Sequence, residues 1–263
     1  MSKLLINPIL SVAKSLYVGF FYFLPHDKIL PLSFWLFMRK LLSGFKSIKD
    51  PLFQGRNAVA CSGLDVRFLP EGLLSGDDVL GIWSLDIETL EILFIKFNEE
   101  KPKVVIECGS GISTIFLAYC ASLLKDKEKN PMIISLEQSQ DEIVKTMARL
   151  KKNGLDKFVQ ILYTPIDDGG NYLIDDSEIN KKIDAKFADW LLIDGPCGPD
   201  GCRISTLPLL APLCKKGSRW FLDDALRDGE IDALNSWSNI PGISVEGIYP
   251  TKKGLACGFL NIQ

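Results

Sequence analysis

"VVIECGSGISTIFLA", Val104 to Ala118, is the stretch that decides the fold. Its first residues form a short apolar run typical of a buried strand, and its last residues have the apolar density of a packed helix. Between them, Gly109 and Gly111 allow a turn without a side-chain clash and let a ligand approach the main chain. The helix that begins near Ile112 adds free N–H groups. The stretch therefore predicts a strand, a ligand-binding turn and a helix.

The same alternation continues along the chain. Four more short apolar strands are predicted between helical stretches, at Met132 to Glu137, Val159 to Tyr163, Trp190 to Asp194 and Trp220 to Asp223. Strands that alternate with helices pair in parallel through right-handed crossovers, with helices on both faces. Ligands of such sheets bind beyond the carboxyl ends of the strands, where the strand order reverses. The sequence therefore predicts a doubly wound, Rossmann-like α/β fold with its site at that edge.

Composition and charge narrow the function class. The chain has 263 residues, of which 47% are hydrophobic and 24% charged, enough for one α/β core with an appendage. A formal charge of -3 gives no general attraction to nucleic acid, so no such partner is expected. Seven scattered cysteines without zinc spacing indicate a reducing compartment. We expect a cytoplasmic protein, with membrane association left open.

Three regions are predicted: an apolar, helical N-terminal appendage over residues 1–50, an irregular linker or lid over 51–80, and the ligand-binding domain over 81–263. Charges and prolines interrupt every apolar run of the appendage before the roughly 18 to 20 residues that span a bilayer. Two interpretations stay open for residues 1–45. They form helices that pack on the core or on a second subunit, or they form a peripheral anchor on a membrane surface.

Helix boundaries are also predicted from local signals. The stretch "SLDIETLEILFIKFNEE" reads as a helix capped by Ser84 before the first long strand. The stretch "QDEIVKTMARLKKNG" has one apolar face and a glycine, Gly154, that ends it. Both helices precede or follow strands of the predicted sheet, which supports the alternating pattern.

Carboxylates follow four of the five predicted strands: Glu107, Glu137, Asp194, and the pair Asp223 and Asp224. Acids at the buried ends of a parallel sheet are costly unless they face a ligand or a metal. A P-loop is excluded because no G-K-[ST] follows the turn, and the dinucleotide fingerprint has Thr114 where a third glycine is needed. An acid in the position of Glu137 suits the hydroxyls of a ribose.

In the order "VVIECGSGISTIFLA", "IISLEQS", "ADWLLIDGP" and "WFLDDA", the chain resembles class I methyltransferases that use S-adenosylmethionine (SAM), over roughly residues 81 to 263. The resemblance implies a seven-stranded, mostly parallel sheet with a final antiparallel hairpin, for which "ISVEGIYP" and "LACGFLNI" are suitable strands. It also implies that Glu137 binds the ribose of SAM and that Asp194 lies beside the cofactor. The residues implied around the amino acid part of SAM are Glu107, Gly109, Ser110 and Gly111, with Ser113 or Thr114 at its carboxylate.

Asp194, Asp223 and Asp224 resemble the acids that hold magnesium in metal-dependent O-methyltransferases. Three hard oxygen ligands suit Mg²⁺ or Mn²⁺, and a cation there would lower the pKa of an acceptor hydroxyl. The only histidine, His26, lies in the appendage, so the core supplies no histidine base. Alternatively, Asp223 or Asp224 acts as a general base without a metal.

The acceptor is predicted from the loops after the last two parallel strands. The segments "IDGPCGPDGCR" and "DDALRDGE" resemble those of sugar and polysaccharide O-methyltransferases. Catechol-type enzymes have a lysine shortly after the aspartate that follows the fourth strand, and this chain lacks it. Arg203 and Arg227 would then bind an anionic acceptor. Simpler interpretations are that Arg203 starts a helix and that Arg227 pairs with Glu230.

The sequence thus predicts methyl transfer from SAM to a hydroxyl of a sugar, glycan or other small polar acceptor, with a divalent metal. Two alternatives remain. One is metal-independent transfer to nitrogen or another atom. The other is a non-catalytic, membrane-associated binding protein with a Rossmann-like core.

Overall fold

A seven-stranded sheet forms the centre of the molecule in a computed structural model, which describes residues 24–43, 59–60, 68–70, 73, 79–81, 83–124, 131–174 and 188–262. The strands of this sheet are β3 (Val104–Cys108), β4 (Met132–Glu137), β5 (Val159–Tyr163), β6 (Ala188–Ile193), β7 (Cys214–Leu222), β8 (Ile243–Tyr249) and β9 (Leu255–Leu260). Earlier in the chain, β1 (Val59–Ala60) and β2 (Val79–Leu80) form a separate antiparallel pair.

The helices of the described ranges are α1 (Leu32–Leu42), α2 (Ile87–Glu100), α3 (Ile112–Leu123), α4 (Gln140–Lys152), α5 (Thr206–Leu210) and α6 (Asp228–Trp237). Single 3₁₀ turns precede β5 and flank α5. The predicted end of α4 is confirmed, since Gly154 follows the helix with φ of +65°.

The sheet has the order β5-β4-β3-β6-β7-β9-β8. The first five of these strands are parallel, and β9 runs antiparallel to both β7 and β8. The predicted doubly wound sheet with its final antiparallel hairpin is therefore confirmed. The strand order reverses between β3 and β6, so the loops after these two strands meet at the edge where a ligand is expected.

Two hydrophobic cores cover the two faces of the sheet, because successive side chains of a strand point in opposite directions. Val105 belongs to the core beneath α2, α3 and α4, and the next residue, Ile106, belongs to the core beneath α1, α5 and α6. Strands buried on both faces need apolar residues in succession. This requirement explains why the short apolar runs were visible in the sequence.

The start of α2 differs from the prediction. The helix begins at Ile87, and the carboxylate of Asp86 accepts the backbone N–H of Thr89 at 2.8 Å. The predicted cap at Ser84 is wrong because that residue lies three positions before the helix. Its backbone carbonyl serves another purpose and accepts a hydrogen bond from the Lys253 side chain at 3.1 Å.

The start of β7 also differs, since this strand begins at Cys214 rather than at Trp220. The first six of the nine residues of this strand read "CKKGSR", and their two lysines and one arginine do not form an apolar run. The guanidinium carbon of Arg219 lies over the ring of Phe259, 4.2 Å from its centroid, and the guanidinium pairs with Glu100 at 2.7 Å. A charged residue can therefore occupy a strand when its guanidinium packs on an aromatic ring and pairs with an acid.

The described part of the appendage packs on the core. Trp35 of α1 is fully buried, and Leu30 exchanges two backbone hydrogen bonds with Ile248 of β8, at 3.0 and 2.9 Å. Arg39 lies 2.7 Å from Asp232 of α6. Residues 1–23 and 44–58 lie outside the described ranges, so contact with a membrane surface or a second subunit through residues 1–45 stays a prediction. No helix in the described ranges has the length and apolar character to cross a membrane.

Candidate active site

The glycine turn after β3 lies at the reversal point of the sheet and is half-exposed. Gly109 has φ of +90°, a left-handed conformation that side chains rarely adopt. A Cβ atom built on Gly109 would lie 3.6 Å from the backbone carbonyl of Asp194, so the loops after β3 and β6 are closely packed. A Cβ atom on Gly111 would meet nothing within 4 Å. The turn thus has protein behind Gly109 and open space in front of Gly111.

Glu137, at the end of β4, is connected to this turn. One carboxylate oxygen accepts the backbone N–H of Ser110 at 2.6 Å, and the other accepts that of Ser139, just before α4, at 2.7 Å. The side chain is only 6% exposed. Two charge-assisted hydrogen bonds therefore fix the carboxylate beside the glycine turn, where the sequence predicts an acid that binds ribose.

Glu107 supports the turn from below. Its carboxylate accepts the hydroxyl of Thr114 at 2.6 Å, and the same hydroxyl oxygen accepts the backbone N–H of Gly111 at 3.0 Å. Burial raises the pKa of Glu107 to about 7, and the Thr114 hydroxyl opposes part of that rise. The hydrogen-bonding capacity of Thr114 is therefore used within the loop. Ser113 is also buried, at the first turn of α3.

The three aspartates that follow β6 and β7 come together as predicted. One carboxylate oxygen from each of Asp194, Asp223 and Asp224 lies within 4.8 Å of the other two. Burial raises the pKa of Asp223 to about 6, and burial followed by repulsion from Asp223 raises the pKa of Asp194 well above its usual range. Asp194 is the most accessible of the three, with 14% of its side chain exposed. The cluster thus combines buried negative charge with one acid that reaches the surface.

Lys253, from the turn between β8 and β9, contacts two of the three aspartates of this cluster. Its ammonium lies 2.7 Å from an oxygen of Asp223 and 2.9 Å from an oxygen of Asp224, and it is 4% exposed. Burial lowers the pKa of Lys253, but attraction by the aspartates outweighs that effect and raises it overall. The lysine therefore stays charged and balances the aspartates.

Arg203 lies on the other side of the same cluster. Its guanidinium donates to the backbone carbonyls of Asp194 at 2.8 Å and of Asp223 at 3.2 Å, and it lies 3.4 Å from the Asp224 carboxylate. Only 7% of the residue is exposed. Arg203 lies in the 3₁₀ turn Cys202–Ser205, which leads directly into α5, so it also stands near the start of a helix. Its contacts are with the protein's own acceptors.

Arg227 differs from Arg203 in exposure. Its side chain is 42% exposed and pairs with Asp224 at 2.8 Å. Arg227 thus pairs with Asp224 instead of the predicted Glu230, and Glu230 lies 3.8 Å from Arg203. Arg227 is therefore the cation of the cluster that is open to an incoming acceptor.

A divalent ion was predicted for the three aspartates, and their oxygen atoms are of the right chemical kind. One oxygen of Asp223 is fully buried without a hydrogen-bond partner among the described residues. The position between Asp223 and Asp224, however, is held by the Lys253 ammonium. A dication and a buried ammonium in contact with the same two oxygens would repel each other strongly. The residues present therefore do not fit a resident metal together with Lys253.

Neither Lys253 nor Asp86 is predicted as a site residue from the sequence. Lys253 stands in "PTKKG" beside Lys252, with nothing in the local pattern to separate a buried lysine from a solvated one. Asp86 accepts the backbone N–H of Lys253 at 3.1 Å across 167 residues of chain. A glycine after the second lysine, Gly254 with φ of +78°, was the only local sign of a tight turn there.

Comparisons with solved structures give the same fold. The chain is similar to a methyltransferase from Geobacter sulfurreducens, with 18% identity, 69% of this chain and 82% of that chain covered, and a TM-score of 0.50. The O-methyltransferase TomG from Streptomyces achromogenes, involved in tomaymycin synthesis and solved with SAM, is 13% identical over 68% of this chain and 82% of its own, with a TM-score of 0.51.

An O-methyltransferase from Bacillus cereus, solved in complex with SAH, is 14% identical over 67% of this chain and 82% of its own, with a TM-score of 0.52. No protein-family model matches the sequence, and no curated protein sequence matches it either. At these identities the likeness establishes a shared Rossmann-like fold.

Proposed function

We propose that this chain transfers the methyl group of SAM to a hydroxyl of a sugar, glycan or other small polar acceptor. The observation that carries the proposal is the contact between the glycine turn and the strand-end acid, in which Glu137 accepts the Ser110 N–H at 2.6 Å. This pairing stands at the reversal point of the sheet, where ligands of such folds bind. Two of the similar structures were solved with SAM or SAH, on the same fold.

The methyl donor lies, in this proposal, over the turn between β3 and α3. The carboxylate of Glu137 faces the ribose hydroxyls, and the open space at Gly111 takes the amino acid part of SAM. Glu107 lies beneath, with a pKa of about 7, so a cationic amino group nearby favours its charged form. The hydroxyls of Ser113 and Thr114 bond to Glu107 and keep the turn in shape, whereas the Ser110 hydroxyl is buried without a partner among the described residues and can bond to the ligand.

The acceptor approaches from the side of Asp194 and Arg227. In the transfer, the acceptor oxygen forms a bond to the methyl carbon while the bond from that carbon to sulfur breaks, and SAH leaves. The hydroxyl proton passes to a carboxylate, and Asp194 is the acid that reaches the surface. A raised pKa makes Asp194 a better proton acceptor than an ordinary aspartate. Arg227, which pairs with Asp224 of the same cluster and is 42% exposed, suits an anionic acceptor such as an acidic sugar.

A divalent metal is left out of this proposal. The buried ammonium of Lys253 and the guanidinium of Arg203 already balance the aspartates that would hold the ion. The metal-independent form of the reaction, with a carboxylate as the base, is the version that these contacts support.

The proposal is tested first by calorimetric titration with SAM. We expect one site per chain, with SAH competing for it. Transfer of a labelled methyl group from SAM is then measured over a panel of neutral and acidic glycans. Binding of SAM without transfer to any hydroxyl acceptor would contradict the acceptor class, and no SAM binding at all would contradict the enzyme.

A further inference from the structure

We propose that the side chain of Lys253 is the resident cation of the three-aspartate cluster and takes the place that a divalent ion would otherwise occupy. The inference deepens the proposed function, since it concerns the acceptor side of the same site. It rests on that function only where it predicts that methyl transfer needs no divalent ion. The evidence consists of the contacts of the ammonium, the anchoring of its backbone and the charges around it.

The ammonium group is held by its neighbours within the protein. It donates hydrogen bonds to Asp223 at 2.7 Å and to the backbone carbonyl of Ser84 at 3.1 Å, and it forms an ion pair with Asp224 at 2.9 Å. An ammonium has three donors and no acceptor. These three neighbours surround the group, and the aspartates keep it protonated. Lys253 is therefore a positioning residue rather than a base.

The backbone of the lysine is held as firmly as its side chain. Asp86, the cap of α2, accepts the Lys253 N–H at 3.1 Å, and Glu88 accepts the Lys252 N–H at 3.0 Å. The hydroxyls of Thr89 and Thr251 are 3.0 Å apart in a buried hydrogen bond. Three links from the first turn of α2 thus fix the turn that carries Lys253. The position of the ammonium follows from the fold rather than from a flexible surface side chain.

The charges explain why the lysine and a metal exclude each other. Asp223 and Asp224 give one oxygen each to the ammonium, and Arg203 lies against Asp194 and Asp224 from the opposite side. A divalent ion that binds these two oxygens would displace Lys253 from both and leave its charge buried with the Ser84 carbonyl as its remaining partner. Burying an unpaired charge is strongly unfavourable. The cluster should therefore bind a divalent ion only when Lys253 is removed.

Mn²⁺ binding, followed by electron paramagnetic resonance on the full chain after EDTA treatment, tests the inference. Lys253→Met should bind one Mn²⁺ at least about tenfold more tightly than the unchanged protein, because two carboxylate oxygens are released. Lys253→Met with Asp223→Asn should lose the gained affinity, since one ligand is gone. Lys253→Arg keeps the positive charge and should exclude Mn²⁺ as the unchanged protein does.

Three results would overturn the inference. They are tight, stoichiometric Mn²⁺ binding by the unchanged protein, a folded Lys253→Met that gains no Mn²⁺ affinity, and Mn²⁺ binding by Lys253→Arg equal to that of Lys253→Met. If Lys253→Met does not fold, the melting temperature of the unchanged protein still tests the inference. A melting temperature that is insensitive to both EDTA and Mn²⁺ supports the inference, and one that rises with Mn²⁺ contradicts it.

The proposed function has a separate measurement. Calorimetric titration with SAM reports on the glycine turn and Glu137, which do not touch Lys253. Failure of SAM to bind would remove the proposed function and leave the Mn²⁺ result standing. Where methyl transfer is observed, we expect its rate to be unchanged by EDTA. Loss of that rate with EDTA and recovery with Mg²⁺ would overturn the inference while supporting the function.

Discussion

The two corners of the site are built in different ways. The donor corner consists of the glycine turn, Glu107 and Glu137, and hydrogen bonds from neighbouring backbone and hydroxyl groups hold its two carboxylates. The acceptor corner consists of the aspartate cluster with Lys253 and Arg203, and opposite charges hold its acids. Hydrogen bonds keep the donor corner half-open for a ligand, whereas buried ion pairs fill most of the acceptor corner and leave Asp194 14% exposed.

This comparison predicts that the acceptor corner loses the most stability when one charge is removed. Lys253→Met leaves the carboxylate of Asp223 buried without its cation and removes one of the three cations around Asp224, and breaking a buried pair costs about 3–5 kcal/mol. We expect a loss of that size in the free energy of unfolding, measured by urea titration. Adding Asp223→Asn should restore part of it. Additive losses in the double variant would show that the two groups are not coupled.

The donor corner is expected to lose ligand affinity instead. Glu137→Ala removes a carboxylate that orders the glycine turn and, in the proposal, binds the ribose, so SAM affinity should fall on the order of 100-fold, about 2.7 kcal/mol. Calorimetry measures the loss. Asp141→Ala, an exposed acid in the first turn of α4, is the matched control and should bind SAM normally. Normal binding by Glu137→Ala would refute the ribose assignment.

A pH effect is expected from Glu107. Its pKa is about 7 in the folded protein and near 4.5 in the unfolded chain, so the folded form holds the proton more tightly. The stability from the protonated carboxyl is complete below pH 4.5 and is lost as the pH rises through 7. Without SAM, the melting temperature should therefore fall over this window by several degrees more than in Glu107→Gln. Parallel pH curves for the two proteins would contradict the assignment.

The smallest effect is expected where the acceptor corner reaches solvent. Arg227 and Arg203 both contact Asp224, but Arg227 is half-exposed and Arg203 is buried. Arg227→Ala should cost less than about 1 kcal/mol of stability, because solvent screens the pair. Arg203→Met should cost several times more. Equal losses in thermal unfolding would show that burial does not distinguish the two cations. In the proposed reaction, Arg227→Ala should raise KM for acidic acceptors and leave SAM affinity unchanged.

Much of the fold was predictable from short stretches of sequence. The strands at Met132 and Val159 were placed with both ends correct. The first is buried on both faces and shows as an apolar run, and the second lies at the edge of the sheet and has exposed residues between its buried ones. The glycine turn and the strand-end acids were predicted to lie at one edge, because the carboxyl ends of parallel strands share an edge of the sheet. The cap at Ser84 and the start of β7 were predicted wrongly. In both places the structure depends on residues that are distant in the chain.

What the sequence determined by itself was the order of elements, the site edge and the acids that meet there. Only the tertiary structure decided what balances those acids. Lys253 and Asp223 are 30 residues apart, and Asp86 and Lys253 are 167 apart, so no local pattern connects them. Hydrophobic periodicity is a property of one segment, whereas compensation of buried charge depends on which segments the folded chain brings into contact.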